Sequence, residues 1–163
     1  MSSVTVKIKD GTNQLLKRLN AMDVDKAGIM NAIAEGLRTS TMERFQAQET
    51  PEGTKWNPSI RARETGEKTL IRTSALRTSI KAEADSTGLA VGTNLIYAAT
   101  HQFGDERTIR AKNGKYLKFK IGDHFVSKPS VRVNIPARPF LGISRQDDED
   151  IREMLEDIVK EQR

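Results

Sequence analysis

An α+β fold is what this sequence predicts: N-terminal helices, an antiparallel β-sheet of four to six strands with a projecting hairpin, and a C-terminal helix. Three observations carry that expectation. Apolar residues recur at helical spacing across 25–48, alternating and turn-punctuated text fills 80–135, and a second helical stripe closes the chain. A chain of 163 residues has room for one domain with a real core and too little for two comfortable ones. Residues 1–163 are therefore read as a single domain.

In VTVKIK, Val4, Val6 and Ile8 alternate onto one face, as in a short strand, and Asp10–Gly11 breaks it. Leu15, Leu16, Leu19 and Met22 follow as a short helix. A longer helix runs from about Asp25 to Gln48, with Ile29, Met30, Ile33, Ala34, Leu37 and Phe45 on one stripe. Gly36 lies inside it, where glycine costs about 1 kcal/mol relative to alanine, so a neighbour is expected to pack closely there. Residues 49–69, with two prolines, two glycines and many charges, read as a long exposed loop. It contains the only tryptophan, Trp56, an indole that either folds back onto its own domain or waits for a neighbour.

Leu70, Ile71, Leu76 and Ile80 come next, and Ser74 is placed to cap a helical turn leading into a strand. A hairpin follows, with DSTG as its turn and Ile80, Ala82 and Ala84 facing Leu89 and Val91. In TNLIYAATHQFG, Asn94 as N-cap and Gly104 as stop mark a short helix. Ile96, Ala99 and Phe103 share one of its faces, and Tyr97 with His101 a neighbouring one.

Asn113–Gly114 is the strongest hairpin signal in the chain. A two-residue turn there would mix apolar and basic residues on both faces, whereas a slip of one residue separates them. A bulge, a longer loop or a hairpin projecting from the core is therefore expected. Val131, Val133 and Ile135 alternate as the last strand. The two prolines of IPARPFLGIS end it and make a rigid joint that displays Arg138 before Phe140 and Leu141 return to apolar surface. Ser144 with Asp147 then fits a capping box, and Asp147, Asp148, Glu149 and Asp150 crowd the first turn, where the helix dipole favours negative charge. Ile151, Met154, Leu155, Ile158 and Val159 form the buried stripe of this final helix.

Composition narrows the chemistry. Hydrophobic residues make up 36% and charged residues 30%, so the core should be modest and some segments should order only against a partner. The absence of cysteine removes thiolate nucleophiles, disulfides and cysteine-containing zinc sites. No apolar run fits a signal peptide or a membrane span, so a soluble protein made in the cytoplasm, with no membrane partner, is expected. The net charge of +5 is unevenly spread: residues 144–163 carry four basic and eight acidic side chains, while 107–138 carry nine Lys or Arg and one acid, Asp123.

No site for bond-making emerges. His101 and His124 lie in neither an HExxH nor a His-x-His pattern, and no serine has a GxSxG context. GEKT (66–69) lacks the upstream glycine and apolar strand of a phosphate-binding loop. No catalytic, cofactor-binding or metal residue is singled out, no cofactor is expected, and His101 is read as structural or interfacial. The basic segment either attracts a phosphate backbone without reading bases or forms a solvated lysine-rich face that protects strand edges.

PEGTKWNPSI, TLIRTSALRTSI, VGTNLIYAATHQFG and IPARPFLGIS, in this order and spacing, resemble the phage virion morphogenesis family, whose members include tail-completion proteins and the Mu-type morphogenesis protein. The resemblance runs from about Phe45 to the end of the last helix. Two departures stand out: the family usually has Thr-Gly where this chain has Thr73–Ser74, and the insertion between Gly104 and Ile135 varies.

What the resemblance implies is a structural neck protein of the virion, not an enzyme. It would complete the head-proximal end of the tail as a six-fold homomeric ring around the DNA path, joined to head-connector and tail-tube or terminator proteins and assembled in the host cytoplasm. On that reading Trp56, Tyr97, His101, Phe103, Arg138 and Phe140 form the fold joint and subunit contact, and the 49–69 loop touches neighbours. Arg110, Lys112, Lys115, Lys118 and Lys120, in the basic hairpin region 107–135, face DNA in the lumen or an acidic partner. The competing reading is a nucleic-acid-binding module acting through that hairpin.

Overall fold

The computed structural model describes residues 17, 18, 21–121 and 123–161, with the backbone alone at Asn113. The VTVKIK strand and most of the helix expected over 15–22 lie outside the described residues. The elements are α1 (Lys26–Ala47), α2 (Ile60–Thr65), α3 (Ala75–Thr78), β1 (Lys81–Ala84), β2 (Leu89–Gly92), α4 (Ala98–Phe103), β3 (Asp105–Arg110), β4 (Leu117–Ile121), β5 (His124–Lys128), β6 (Ser130–Ile135) and α5 (Arg145–Glu161). The α+β class holds. Among the described residues, however, the six strands form not one sheet but three antiparallel pairs, β1–β2, β3–β6 and β4–β5.

α1 begins where the Asp25 carboxylate accepts the Gly28 N–H at 2.9 Å and ends at Gln48 in the left-handed region, with φ of 59°. Its buried face is Ile33, Ala34, Leu37, Thr41, Arg44 and Phe45. α1 packs on the β1–β2 hairpin, whose register pairs Ala82 with Val91 and Ala84 with Leu89 as the alternation predicts. α5 crosses the other side of α1 and buries Ile151 and Leu155, with Met154 and Ile158 half-buried against the same core. The capping box is reciprocal: Ser144 Oγ accepts the Asp147 N–H at 3.1 Å, and Asp147 Oδ2 accepts the Ser144 N–H at 2.7 Å. Phe45, Phe140, Ile80 and Leu155 sit at the centre of the core with 0–1% of their surface exposed. Emptying a position of this kind, Phe to Ala, typically removes about 3–5 kcal/mol.

Residues 49–69 are more regular than their composition implies. Thr50 and Thr54 close a tight turn, and Ser59 caps α2 by accepting the Ala62 N–H at 3.1 Å. Both ends are pinned by one side chain: Gln48 donates to the Thr69 carbonyl at 3.0 Å and accepts the Thr69 N–H at 2.7 Å. Short polar side chains and one amide thus replace the hydrophobic periodicity that a sequence reading relies on.

The basic region contains the largest departure. Asn113–Gly114 turns no hairpin; Lys112–Gly114 is a single turn of 3₁₀ helix, closed by Lys115 N–H on the Lys112 carbonyl at 3.2 Å. β3 pairs with β6 and β4 with β5, and the Ala111 N–H reaches the Pro129 carbonyl at 2.9 Å, so the two ladders run end to end as one long ribbon. The pairing segregates the β4 side chains but not those of β5. Phe119 stands opposite Val126 with Leu117 and Ile121 on the same face and Lys118 and Lys120 on the other, while β5 sets Lys128 opposite Leu117 and Phe125 opposite Lys120. The 3₁₀ turn absorbs the residues that an Asn-Gly hairpin would have put out of register. None of residues 105–135 joins the buried core or the half-buried shell around it. The ribbon is an arm.

Two backbone positions give a direct test. Ser74 precedes α3 at φ 55°, and its side chain makes no cap bond, so the expected capping role is absent. The left-handed conformation explains why glycine suits this place, and Ser74→Gly should raise stability by about 0.5–1 kcal/mol in urea unfolding. Gly104 has φ 77°, and a Cβ there would lie 2.9 Å from the Ala137 nitrogen and 3.0 Å from the Ile135 carbonyl oxygen. Gly104→Ala should cost about 2 kcal/mol or more by the same measurement.

Candidate functional site

The segment from Pro136 to Gly142 runs through the middle of the molecule, yet its prolines bar it from a sheet. Its backbone groups must therefore be satisfied by side chains, since an unpaired buried amide costs about as much as a lost hydrogen bond. Three elements supply them. From α1, Arg44 Nη1 donates to the Phe140 carbonyl at 3.2 Å and the Gly142 carbonyl at 2.9 Å. From the 49–69 segment, Trp56 Nε1 donates to the Pro139 carbonyl at 2.9 Å. From α4, Gln102 Oε1 accepts both the Phe140 and Leu141 N–H groups at 3.0 Å, and its Nε2 donates to the Leu141 carbonyl at 3.0 Å. The Arg138 N–H closes the ring on the His101 carbonyl at 2.7 Å.

Around this collar the aromatic rings interlock. Phe45 meets Trp56 edge-on at 5.4 Å between centroids and Phe140 at 5.2 Å. Arg44, only 5% exposed, also holds Ser40 and forms an ion pair with Asp147, the capping carboxylate of α5. Burial lowers the Arg44 pKa from its ordinary value, and the Asp147 carboxylate opposes that shift. One guanidinium therefore ties α1, the joint and α5 together.

The residues expected at the joint divide into two groups. Trp56, Phe140 and Arg138 are buried. Arg138 is not displayed, as its place between prolines implied; its Nε donates to the Asn57 carbonyl at 2.7 Å, folding the side chain against the 57–59 segment. Trp56 likewise faces its own core. Tyr97 and Phe103 lie outside, with 44% and 67% of their surface exposed. α4 is shorter than its capping signals predicted, and Asn94 does not cap it. Its buried face is Ala98 and Gln102, while Ile96, expected on one face with Ala99 and Phe103, is 94% exposed.

His101 is half-buried, its ring edge-on to Tyr97 at 6.1 Å. Nδ1 is shut away from solvent with no hydrogen-bond partner among the described residues. Burial, then the nearby Arg138 charge, lowers its pKa, so the ring is neutral at neutral pH. With Arg138 and residues 57–63 it borders an open groove of about 670 Å³ against β6. Among the described residues no group of three His, Asp or Glu is placed to hold a metal, and no helix is long and apolar enough to cross a membrane.

The second cluster stands apart, on the arm. Arg110, Lys112, Lys115, Lys118 and Lys120 are all exposed, and only Lys120 has a carboxylate partner among the described residues, Asp123 at 3.2 Å. Sequence reasoning missed Arg44 and gave Gln102 no specific role. The signal for Arg44 was present: Leu37, Thr41 and Arg44 continue the apolar stripe of α1, and a charge on a core stripe needs a buried partner.

The fold thus combines a core knotted around a proline joint, apolar side chains left outside and a basic arm. The phage virion morphogenesis family matches residues 7–160, and the chain belongs to that family, whose members are structural proteins of virion assembly. The chain is also 31% identical over 145 residues to the Mu-like prophage FluMu G protein 2 of Haemophilus influenzae, covering 89% of this chain and 86% of that protein. No solved structure matches it.

Removing the collar's donors should be costly. Gln102→Ala strands two buried N–H groups and should lose about 2–4 kcal/mol in urea unfolding. Arg44→Ala leaves the Asp147 carboxylate buried and unpaired and should lose about 3–5 kcal/mol. The pH dependence of His101 has a definite sign. Its folded-state pKa lies below the unfolded value of about 6.5, so the unfolded chain binds more protons and stability falls as pH drops through that value. Thermal melts of His101→Gln against the parent between neutral pH and about pH 5 should show the parent losing more.

Proposed function

We propose that this protein completes the head-proximal end of a phage tail and joins it to the head as a homomeric, six-fold ring around the DNA path. What carries the reading is the set of large apolar side chains left outside next to the joint: Ile96 at 94%, Phe103 at 67%, Ile60 at 67% and Tyr97 at 44% exposure. A lone subunit gains nothing by presenting them; a neighbour that covers them gains their burial, at about 25 cal/mol per Å². The family membership supplies the setting. On this reading the ring contacts head-connector proteins above and tail-tube or terminator proteins below, through α4 and the surface of residues 49–69.

One observation favours a second reading, in which the arm acts as a nucleic-acid-binding module. Arg110, Lys112, Lys115 and Lys118 have no carboxylate partner among the described residues and are free to meet phosphates without reading sequence. That reading requires the isolated chain to bind DNA with an affinity that falls steeply with salt.

Electron microscopy of particles carrying a labelled copy tests the neck reading; the label should appear at the collar and nowhere else in the virion. Neutralising Lys112, Lys115 and Lys118 together separates the arm's two roles: assembled particles that lose DNA assign it to the lumen, and failed assembly assigns it to a protein. His101→Gln should leave particle yield unchanged, because the ring nitrogen takes part in no contact that glutamine cannot spare.

A further inference from the structure

The arm and the C-terminal helix carry opposite charges of equal size. Residues 110–128 hold six Lys or Arg and one acid, and α5 holds three basic and eight acidic side chains. The arm also has an apolar surface of its own. Leu117, Phe119, Ile121 and Val126 share one face of β4–β5 with His124 and Lys128, and Ile121 on it is 58% exposed; Phe125, 83% exposed, stands opposite Lys120 on the other face. A two-stranded ribbon on which none of the described residues packs is marginal in water, so this one requires a surface to lie on.

Such a surface exists between α1 and α5. An open groove of about 440 Å³ is lined by apolar Ile33, Leu37, Ile151 and Met154, by Gly36, and by the carboxylates of Glu43 and Asp150 among other polar side chains. Gly36 was expected to be contacted closely, and it is not: a Cβ built there meets nothing within 4 Å. A mid-helix glycine costs about 1 kcal/mol, and none of the described residues makes use of the space it leaves. A backbone approaching from outside would. The lengths agree as well. Ala32 to Glu43 spans about 16 Å along a helix, and Leu117 to Ile121 about 14 Å along a strand.

We infer that the arm tip of one copy lies in the α1–α5 groove of a second copy, apolar face down over Gly36, with Lys128, which stands opposite Leu117 on that face, reaching Glu43 and Asp150, and with Lys118 and Lys120, at the outward face, beside the acidic flank of α5. This deepens the ring reading above and rests on it. The contact joins two different surfaces, so each copy gives an arm and receives one, and such head-to-tail contacts close into a ring when the rotation between copies closes. It assigns both the basic segment and the acidic tail to one interface, and it makes the charge asymmetry of the sequence a recognition device between identical chains.

Sedimentation velocity on the full chain tests this with an arm variant, Lys118→Glu with Lys128→Glu, and a groove variant, Glu43→Lys with Asp150→Lys. The parent should self-associate less as salt rises, and each variant alone should associate about a hundredfold or more weakly. An equimolar mixture of the two should recover the parent's association, because each reversed arm then meets a reversed groove. Gly36→Leu should keep or raise the melting temperature and abolish association.

Four results overturn the inference: a parent that stays monomeric at its highest soluble concentration, variants that associate as the parent does, a mixture that fails to recover, or an arm variant that assembles normally but loses DNA retention. A Gly36→Leu chain that melts lower as a monomer also overturns it, since the groove would then be filled by the chain's own residues. None of these results bears on collar location in particles, on which the neck reading stands or falls separately.

Discussion

A stretch of backbone that cannot enter a sheet, buried where it must be fully hydrogen-bonded, is the constraint on which the rest of the structure depends. The Pro-Ala-Arg-Pro-Phe segment offers carbonyls and amides to the core, and Arg44, Trp56 and Gln102 meet them from three separate elements. Because each donor also packs or pairs elsewhere, the joint cannot shift without moving α1, residues 49–69 and α4 together. Arg44 extends the dependence to α5 through Asp147. The modest apolar content of the chain is thereby offset by a buried polar cluster in which Arg44, Trp56 and Gln102 are hydrogen-bonded.

What the sequence made legible was local. The bounds of α1, the β1–β2 register and the α5 capping box follow from spacing and side-chain chemistry within a few residues, and all three are observed. The arm's pairing was not legible, because β3 finds β6 about twenty residues away and the Asn-Gly signal speaks only of its own neighbours. Asn94 and Ser74 failed as caps for a related reason: a capping residue type is no guarantee of a capping geometry.

The site was legible in part. Phe140 and Trp56 could be placed near the joint by resemblance, but burial of Arg138 and exposure of Ile96 reverse the usual order of charged and apolar side chains. Helical periodicity marks that a face is apolar; it does not say whether the face belongs to the core or to a contact surface. Here α4 turns Gln102, a polar residue, inward, because the joint it serves demands hydrogen bonds rather than apolar area. The same logic placed Arg44 on a core stripe.

The chain contains a single indole, and it is bonded to Pro139 beside Phe45 at the centre of the collar. Its fluorescence is accordingly an intrinsic optical gauge of the joint alone. Loosening of that ring of contacts moves Trp56 from a dry, aromatic setting into solvent and shifts the emission to the red, whereas rearrangements confined to the arm, which carries no tryptophan, leave the spectrum silent.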